Sequence, residues 1–468
     1  MTSLASKLSD LLGASGWVPG SEAAGHARDW LDRYGAPPLG VARPATTEEV
    51  SAVIRACVAE GVPVTPQGGN TSLCGAAVSG AKGGVILSLA RMARIGTPDP
   101  DAGCIEVEAG VVLASLHETL APHGLIFPMH LGAEGSAQIG GLIATNAGGS
   151  HAARFGMMGD LVLGLEVVLP DGQIWDGMRA VMKDNAGYAL RRLFCGAEGT
   201  LGIVTRAVLR TYSAPKRRAT ALLAIPDVSS LIRMGTMLRA QAGEMLTGLE
   251  FFNDVGQGYA LRHVAGLTHP LDTRTPWYLL AELSAGSEQV PVDLILETAL
   301  TEGMKAELVS DGTLAMSEAQ RAALWRLREE QPEGQRLEGP QLKHDISVPP
   351  GRLGAFIEQG AALVEGILPG TRINPFGHLG DGNVHYNLSP PEGGDFGTHA
   401  PAMAGALGRL ATELGGSFAA EHGLGRSKVA LADTLRDKTE RDLMRRLKAC
   451  LDPEGLLNPG VIVAVHDK

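Results

Sequence analysis

The residues best suited to chemistry in this chain are histidines and a carboxylate in its last hundred residues. His378 and His385 stand seven residues apart in NPFGHLGDGNVHYNL, and Glu421 directly precedes His422 in AAEHGLGRSK. Two imidazoles and a carboxylate suit a divalent ion, zinc or another transition metal, with a coordination position left open. A hydrogen-bonded core histidine is the ordinary alternative for each residue alone, but HxGDGNxH followed by EHG favours a metal site.

A turn is needed to bring His378 and His385 together. On one unbroken strand, residues seven apart point to opposite faces. Gly380 and Gly382 predict a chain reversal between the two histidines instead. In the strand that follows, His385 and Asn387 share one face, and the alternating apolar and aromatic positions pack on the other.

Two cations precede this segment. Arg328 and Lys343 are fifteen residues apart in the sequence. They could hold a substrate carboxylate, the arginine through paired hydrogen bonds and the lysine as a point charge. Ordinary ion pairs on a solvated helix face are the alternative.

Three glycine-rich segments occupy the first half of the chain: VTPQGGNTSLCG (64–75), GAEGSAQIGGLIATNAGG (132–149) and GAEGTLGIVT (196–205). The first can expose consecutive backbone N–H groups beside hydroxyl donors, which suits a pyrophosphate. A hairpin turn is the alternative for that segment alone. This first segment carries neither the GK[ST] of a Walker loop nor the GxGxxG fingerprint of dinucleotide-binding folds. Three such segments together predict a long, extended ligand that backbone approaches at several points.

The composition limits the class of protein. The chain has 468 residues, a net charge of −11 and 62 glycines, about twice the usual share of glycine. The acidic balance argues against broad binding to nucleic acid. Five scattered cysteines without a CxxC pair disfavour disulfides and iron–sulfur clusters. No apolar stretch approaches the ~18 residues of a membrane span. We therefore expect a cytoplasmic protein, with peripheral membrane association left open.

The elements that must position these residues follow an α+β pattern. Between about 40 and 215, β-rich runs alternate with glycine clusters, unlike a strict βαβ order. TTEEVSAVIRACVAEG predicts a helix with Thr47 as N-cap and Gly61 just past its end. An amino-terminal helix is expected to place four leucines on one face: Leu4, Leu8, Leu11 and Leu12. APKRR (214–218) reads as a linker, after which longer helices alternate with strands.

The first half carries a resemblance to a known family. PQGGNTSL, IGGLIATNAGG, RFGMMGDLVLGLEVVLPDG, KDNAGY and LFCGAEGTLGIVT resemble, in this order, the FAD-binding domain of the vanillyl-alcohol oxidase/PCMH flavoprotein superfamily. The resemblance implies FAD, with the pyrophosphate at 67–72 and the flavin path along 132–148. Non-covalent binding is expected, although some members attach flavin through residue types found here at His130, His151, Cys74 and Cys195. The residues implied to bind FAD are Pro66, Gln67, Gly68, Gly69, Asn70, Thr71, Ser72, Pro128, Gly132, Ala133, Ser136, Gly140, Gly141, Thr145, Asn146, Gly148, Glu198, Gly199 and Ile203.

The second half, including the terminal LDPEGLLNPG, resembles the FAD-linked D-2-hydroxyacid dehydrogenases, a group with D-2-hydroxyglutarate dehydrogenase, D-lactate dehydrogenases and the flavin subunit of glycolate oxidase. Pro332 stands where the hydroxyglutarate enzymes have a threonine, which argues against a second, distal substrate carboxylate. The roles implied by the resemblance are ligation of a divalent metal, with zinc the expected ion, by His378, His385 and Glu421, proton abstraction by His422, substrate binding by Arg328, Lys343, Asn387 and His422, and a return of Asn458 to the flavin.

The resemblance also implies an architecture and a reaction. An amino-terminal helical segment (1–37) would precede a two-subdomain PCMH-type FAD-binding domain (38–215). A cap domain (216–425), an antiparallel sheet covered by helices, would hold the metal, and a helical segment (426–468) would return to the FAD domain. The reaction would oxidise a D-2-hydroxy acid to the 2-oxo acid by hydride transfer to flavin N5. Electrons would leave to an electron-transfer protein or a quinone, and a homodimer is possible.

Three alternatives stay open at this point. An alcohol or sugar oxidase of the same superfamily would not need the two histidines and Glu421 together. A zinc hydrolase would use a metal-bound water and leave the glycine segments without a purpose. A flavin-binding electron carrier would bind FAD without turning over a 2-hydroxy acid.

Overall fold

The structure is a computed structural model that describes residues 3–80 and 82–465. It divides the chain into two units. The first unit takes the chain up to residue 149, then 155–214, and everything from 421 onward. The second unit takes 150–154 and 215–420. The sequence predicts domain boundaries at 37, 215 and 425. The division into two units does not test them, so they remain predictions.

The segment from residue 3 to 214 holds short strands and mostly short helices. Its strands are β1 (Trp17–Pro19), β2 (Gly40–Ala42), β3 (Val64–Gln67), β4 (Val85–Ser88), β5 (Cys104–Glu108), β6 (Leu125–Ile126), β7 (Val162–Val168), β8 (Ile174–Gly177), β9 (Ile203–Arg210) and β10 (Tyr212–Ser213). Its helices are α1 (Leu4–Leu12), α2 (Ala24–Ala27), α3 (Thr47–Ala59), α4 (Leu113–Leu120), α5 (Ile139–Thr145), α6 (Ala152–Phe155), α7 (Met158–Leu161) and α8 (Leu190–Phe194).

Two four-stranded sheets form the framework of the first unit. One has the order β1-β2-β4-β3, in which β4 runs parallel to both β2 and β3. The other has the order β5-β9-β7-β8 and is antiparallel throughout. Helix α3 covers the first sheet with residues three or four apart, Val50, Val53, Ile54 and Cys57, all of them buried. This spacing is the one that makes a helix amphipathic.

Two local predictions in this unit are wrong in detail. The N-cap of α3 is misplaced by one position, and one of the four leucines of α1 does not lie on the buried face. Thr46, not Thr47, caps α3: its hydroxyl accepts a hydrogen bond from the Glu49 amide at 3.2 Å. Thr47 is the first helical residue, and its hydroxyl instead donates to the buried Glu166 carboxylate at 2.6 Å. In α1, the leucines at positions 4, 8 and 12 are buried, whereas Leu11 is 41% exposed, because residues four apart form one line and Leu11 lies beside it.

The second unit is built on longer elements. Its strands are β11 (Arg217–Ile225), β12 (Leu246–Asn253), β13 (Trp277–Ala285), β14 (Asp311–Leu314), β15 (Asp345–Ser347), β16 (Arg372–His378) and β17 (Asn383–Ser389). Its helices are α9 (Val228–Ala242), α10 (Asp254–His263), α11 (Val292–Lys305), α12 (Glu318–Glu329), α13 (Gln331–Glu338), α14 (Leu353–Ile367) and α15 (Ala400–Glu413). The chain then re-enters the first unit with α16 (Val429–Leu435) and α17 (Lys438–Leu451).

One antiparallel sheet of seven strands organises the second unit, in the order β14-β11-β13-β12-β16-β17-β15. Two separate apolar clusters pack against it. The larger includes residues of α9, α11, α14 and α15, and the smaller includes residues of α10 and α12. The predicted antiparallel sheet covered by helices is confirmed. Along the described part of the chain, no helix combines the length and apolarity required to cross a bilayer.

The reversal predicted between the two histidines is a hairpin of β16 and β17. The Gly382 amide donates to the His378 carbonyl at 3.1 Å. Gly382 adopts φ +82°, a left-handed conformation that glycine tolerates without a steric penalty. Alternation along β17 is also as predicted, since Val384, Tyr386 and Leu388 enter the larger apolar cluster.

Candidate active site

The second unit presents a row of ionisable side chains across four adjacent strands. In the sheet register, Glu250 of β12 lies opposite His378 of β16, and His385 of β17 lies opposite Asp345 of β15. Between the two inner strands, Phe376 of β16 lies opposite His385, and Asn383 of β17 lies opposite His378. His378 and His385 are therefore diagonal neighbours on one face of the sheet, a spacing that large side chains can still bridge.

Glu250 orients His378. Its Oε1 lies 2.7 Å from His378 Nδ1, and both side chains are buried, with Glu250 only 1% exposed. An ionised carboxylate can only accept a hydrogen bond, so Nδ1 carries a proton, and in the neutral ring Nε2 is the nitrogen with the lone pair. A carboxylate on the far nitrogen of a histidine is the arrangement that fixes the ring of a metal ligand.

Arg328 of α12 satisfies the second oxygen of the same carboxylate. Its Nε donates to Glu250 Oε2 at 2.8 Å, and its guanidinium lies 4.7 Å from the centre of the Phe376 ring. The side chain is 9% exposed. The solvated helix face that the sequence left open as an alternative is therefore wrong for Arg328. Its remaining N–H groups can donate to a ligand while Nε holds Glu250.

His385 lies beside His378. The two ring centres are 5.7 Å apart with planes at 77°, and Nδ1 of His385 is 3.8 Å from Asp345 Oδ1. The Asp345 carboxylate is buried and accepts a hydrogen bond from the side-chain amide of Asn383 at 3.1 Å. Two imidazoles with carboxylates behind them form a donor set that suits a divalent transition ion.

The remaining predicted residues of this unit lie on neighbouring elements. Asn387 is buried on β17, where its side-chain amide donates a hydrogen bond to Gln335 Oε1 at 2.8 Å. Lys343 is half-buried in the stretch between α13 and β15. Pro332 is exposed in the first turn of α13, where the missing N–H of proline costs little because a first-turn amide has no partner within the helix.

The electrostatics of the row favour a charged Glu250. Burial alone would raise its pKa, but His378 and Arg328 outweigh burial and hold the pKa below the ordinary value. Asp381, in the hairpin turn, behaves in the opposite way: burial raises its pKa despite the attraction of His378.

In the first unit, the glycine-rich segments leave a cradle for a ligand. A Cβ at Gly141 would meet nothing within 4 Å, and one at Gly68 would stand 3.6 Å from Gln138 and Gly141. Asn70 Oδ1 and Gln138 Oε1 are buried without a hydrogen-bond partner. Buried polar atoms are normally paired, so two unpaired oxygens beside open glycines fit a bound group with N–H or O–H donors.

Other glycines in these segments serve backbone packing. A Cβ at Gly69 would overlap the Ser136 carbonyl, and one at Gly199 would overlap the Pro66 ring. These contacts hold the three segments against one another. Thr145 and Asn146 are used locally: the threonine hydroxyl donates to the Gly141 carbonyl at 3.0 Å, and Asn146 accepts from the Gly159 amide at 2.8 Å.

The other FAD residues implied by the resemblance lie on or beside these segments. Gln67 is buried, and its amide donates to the carbonyls of His26 and Ala77 at 3.0 and 2.8 Å. Gly140 contacts Ala109 so closely that a Cβ would be 2.8 Å from the alanine methyl. The remaining residues lie in loops or at strand ends: Thr71, Ser72, Pro128, Gly132, Ala133 and Ile203.

Glu198 anchors the loop that carries Glu421 and His422. Its carboxylate accepts hydrogen bonds from the amides of Leu424 and Gly425 at 2.8 and 2.9 Å. Burial raises the pKa of Glu198 to about 7, with the two amides opposing the rise. In the same unit, a Cβ at Gly148 would overlap the Glu421 carboxylate. Glu198, which the sequence assigned to flavin, thus holds the EHG loop.

Asn458 has a similar structural use. It is 1% exposed and adopts φ +46°. Its amide donates to the carbonyls of Ala76 and Glu198 at 3.0 and 2.8 Å. Both N–H groups are thereby taken, and Asn458 ties its own loop to the third glycine-rich segment and to the residue that follows the first.

Sequence reasoning missed Glu250. The signal was present: LTGLEFFN is an apolar strand with one carboxylate in it. A charge in such a strand is buried only when it is paired, so the pattern indicates a partner without naming it.

Two family models match the chain. One, described as "FAD binding domain", covers residues 38–177, and the other, described as "FAD linked oxidases, C-terminal domain", covers residues 214–462. The second alone spans more than half of the 468 residues.

Curated relatives match over nearly the whole length. A D-2-hydroxyglutarate dehydrogenase from Xanthomonas citri pv. viticola is 37% identical over 94% of this chain and 93% of its own. A mitochondrial D-2-hydroxyglutarate dehydrogenase from Danio rerio is 36% identical over 92% of this chain and 79% of its own. Among solved structures, a p-cresol methylhydroxylase superposes with a TM-score of 0.76 at 17% identity, covering 99% of this chain and 97% of its own. At that identity the likeness concerns the fold, and the predicted PCMH-type fold is confirmed.

Proposed function

This chain belongs to the family of FAD-linked oxidases whose members include the D-2-hydroxyglutarate dehydrogenases, and on that basis we propose that it oxidises a D-2-hydroxy acid to the corresponding 2-oxo acid. FAD would accept the electrons and a divalent cation, zinc in the simplest case, would assist. The observation that supports the cation most directly is the buried Glu250 that fixes His378, since a histidine needed only for packing would not require a buried, charged partner.

The flavin would lie along the glycine-rich segments of the first unit. The open side of Gly141 and the unpaired oxygens of Asn70 and Gln138 support this position. Backbone N–H groups at 67–72 would hold the pyrophosphate. Non-covalent attachment is supported by Cys195, because burial raises the pKa of its thiol to about 11, and a protonated thiol is a poor nucleophile.

The cation would be held by His378, His385 and Glu421. His378 would offer Nε2, since Glu250 occupies Nδ1. Asp345 lies 3.8 Å from His385 Nδ1, so a proton on Nδ1 would face a carboxylate and Nε2 would be left for the cation. Glu421 would complete the set with a hard oxygen donor.

Substrate would be bound through its carboxylate and oxidised at the neighbouring carbon. Arg328 and Lys343 would hold the carboxylate, with Asn387 beside them. His422 would take the proton of the 2-hydroxyl group, a role suited to imidazole, whose unperturbed pKa is near ~6.5 in general. When bound, FAD supplies a two-electron acceptor and the cation supplies positive charge beside the hydroxyl oxygen.

The wider assignments stay predictions. Electrons would leave the reduced flavin to a separate electron-transfer protein or a quinone, and the chain would work in the cytoplasm as a homodimer. The Danio rerio relative, by its name, is mitochondrial, so the location needs its own test, for which fractionation of the native cells suffices.

An anaerobic flavin-bleaching screen tests the proposed reaction. Oxidised holoenzyme would be mixed with the D- and L-forms of 2-hydroxyglutarate, lactate and malate, and with glycolate. We expect loss of flavin absorbance with at least one D-acid and none with its mirror image. Bleaching by L-acids alone would overturn the stereochemistry, and bleaching by simple alcohols but no 2-hydroxy acid would favour the alcohol oxidase. A 2-hydroxyglutarate response as strong as that of D-lactate would show that Pro332 tolerates a second carboxylate.

A further inference from the structure

A second group of side chains that could hold a metal ion lies in the first unit, apart from every residue assigned above to the substrate or to the first cation. It consists of His117 on α4, His130, and Glu134 in the turn that follows. Each offers a ligand atom, and these atoms lie within 4.8 Å of one another. We propose that His117, His130 and Glu134 form a binding site for a divalent transition cation of the zinc type.

The backbone holds the three residues in place. The Ala114 amide donates to the Glu134 carbonyl at 3.1 Å, and the Leu113 amide donates to the Ala137 carbonyl at 2.9 Å. The turn at 134–137 is thus fastened to the first turn of α4. Residue 117 is one helical turn after residue 114, and helical side chains tilt toward the start of their helix. The His117 side chain therefore points toward the turn at 134–137.

His117 is prepared for a ligand role. Its Nε2 is buried and has no hydrogen-bond partner, although buried polar atoms are normally paired. A buried imidazole nitrogen that lacks a hydrogen-bond partner can offer its lone pair to a cation, and histidine is the commonest metal ligand.

The other two side chains have room to adjust. The His130 and His117 ring centres are 4.7 Å apart, and His130 Nδ1 is 3.3 Å from Glu134 Oε2. His130 and Glu134 are each 42% exposed. Ligand atoms on one tetrahedral zinc are roughly 3.4 Å apart, given bonds of about 2.0–2.1 Å. Small rotations of these two half-exposed side chains close the difference, and solvent can supply the fourth ligand.

A cation here would fix the segment that leads into the second glycine-rich stretch. Gly132 and Ala133 lie between two of the three ligands, and both belong to the proposed flavin path. We expect zinc to slow the loss of flavin from the protein, an effect that rests on the proposed function. Cation binding itself does not depend on that proposal.

Zinc stoichiometry tests the site. Full-length protein carrying its flavin would be stripped with a chelator, reloaded with zinc chloride, desalted and analysed for zinc per chain by mass spectrometry. We expect two zinc ions in the wild type, one in His117→Gln and one in His378→Gln. Glu134→Gln, a milder change at a half-exposed position, should bind the second ion with at least tenfold weaker affinity. His123→Gln removes an exposed histidine just beyond α4 and should retain two.

The outcomes separate the two metal proposals. One zinc in the wild type that is lost in His378→Gln and kept in His117→Gln overturns the second site and leaves the proposed function intact. One zinc that is lost only in His117→Gln supports the second site and contradicts the first. Flavin absorbance and thermal midpoints of each variant establish that it is folded. If His117→Gln does not fold, zinc equally tight in Glu134→Gln and wild type overturns the proposal.

Discussion

Each unit contains a buried carboxylate beside the proposed chemistry, and the two are used in different ways. In the second unit, Glu250 meets side chains: it bridges His378 and Arg328 on one sheet face. In the first unit, Glu198 meets backbone: it accepts from two loop amides, and nearby Asn458 likewise donates to two carbonyls. Both carboxylates are almost completely buried, yet one prepares a reactive side chain and the other fastens a loop.

The difference follows from what each unit must hold. An extended cofactor with many polar atoms can be bound by exposed backbone groups, which glycines make available. A small ion and a small acid need a few side chains at fixed positions, and a broad antiparallel sheet supplies them. The four predictions below test this division of roles.

The largest expected effect concerns His422, a side chain of the first unit to which we assign chemistry. Replacing His422 by Asn should slow flavin reduction by a D-2-hydroxy acid about 1000-fold, within the range of a lost general base. Bound flavin should stay near wild-type content. Stopped-flow absorbance under anaerobic conditions measures the rate. Reduction within threefold of the wild-type rate would remove His422 from the role of base.

Glu250 should matter for the cation as well as for the fold, because it also pairs with the buried Arg328. In Glu250→Gln the charge behind His378 is lost, and we expect zinc affinity at that site to fall about 10–100-fold, as for other partners of metal-bound histidines. Glu282→Gln is the matched control. Glu282 is equally buried on β13 but accepts from Trp325 and Arg321 instead of a histidine.

Competition with a fluorescent chelator measures the zinc affinity of both variants. The control should lose thermal stability with unchanged zinc affinity. Equal loss of affinity in Glu282→Gln would mean that any buried carboxylate of this sheet matters, and that Glu250 has no special link to His378.

Glu198 should make stability depend on pH. Its pKa is raised from the ordinary value of 4.5 to about 7 in the folded protein. The folded state therefore binds the extra proton, so the contribution of Glu198 to stability is present below the unfolded pKa and is lost as the pH rises toward 7. Relative to Glu198→Gln, the wild type should gain on the order of 2 kcal/mol between pH 8 and pH 5.

Thermal midpoints of the two proteins across this pH range check the prediction. A gap between variant and wild type that stays constant from pH 8 to pH 5 would contradict the raised pKa. Activity is not the readout, because it also depends on other titrating groups.

The smallest expected effect separates backbone used for binding from backbone used for folding. Gly141→Ala places a methyl group in open space within α5, so it should stabilise the fold by about 0.5–1 kcal/mol through helix propensity while weakening FAD binding. Gly258→Ala makes the same change in open space within α10 of the second unit.

With FAD removed, both variants should melt at a higher temperature than the wild type. With FAD bound, only Gly141→Ala should release it more readily than the wild type. Flavin fluorescence on dilution measures the release. Equal FAD retention in the two variants would place the flavin away from Gly141.

The sequence allowed the local features to be predicted, because their causes lie within a few residues. The GDGN turn, the alternation along β17 and the body of α3 depend on glycine conformations and apolar periodicity. The N-cap of α3 was misplaced by one residue because TT offers two adjacent hydroxyls of equal capping ability. What decided between them was Glu166, a partner 119 positions away from Thr47.

The same limit applies to the site. The histidines and EHG stand out as motifs, whereas Glu250 pairs with a histidine 128 positions later in the chain. Spacing along the sequence carries no information about such a pair; only the order of strands β12 and β16 in the sheet does. Glu198 and Asn458 could be placed near the glycine-rich segments, but their hydrogen bonds to backbone required coordinates.

The central claim is that FAD and one divalent cation serve a single oxidation in this chain. Anaerobic flavin reduction by the D-2-hydroxy acid found in the screen tests it, measured before chelation, after chelation, and after return of zinc. We predict that the rate falls at least 100-fold when zinc is removed, with FAD still bound, and recovers when zinc is returned. An unchanged rate in protein stripped of metal would contradict the claim.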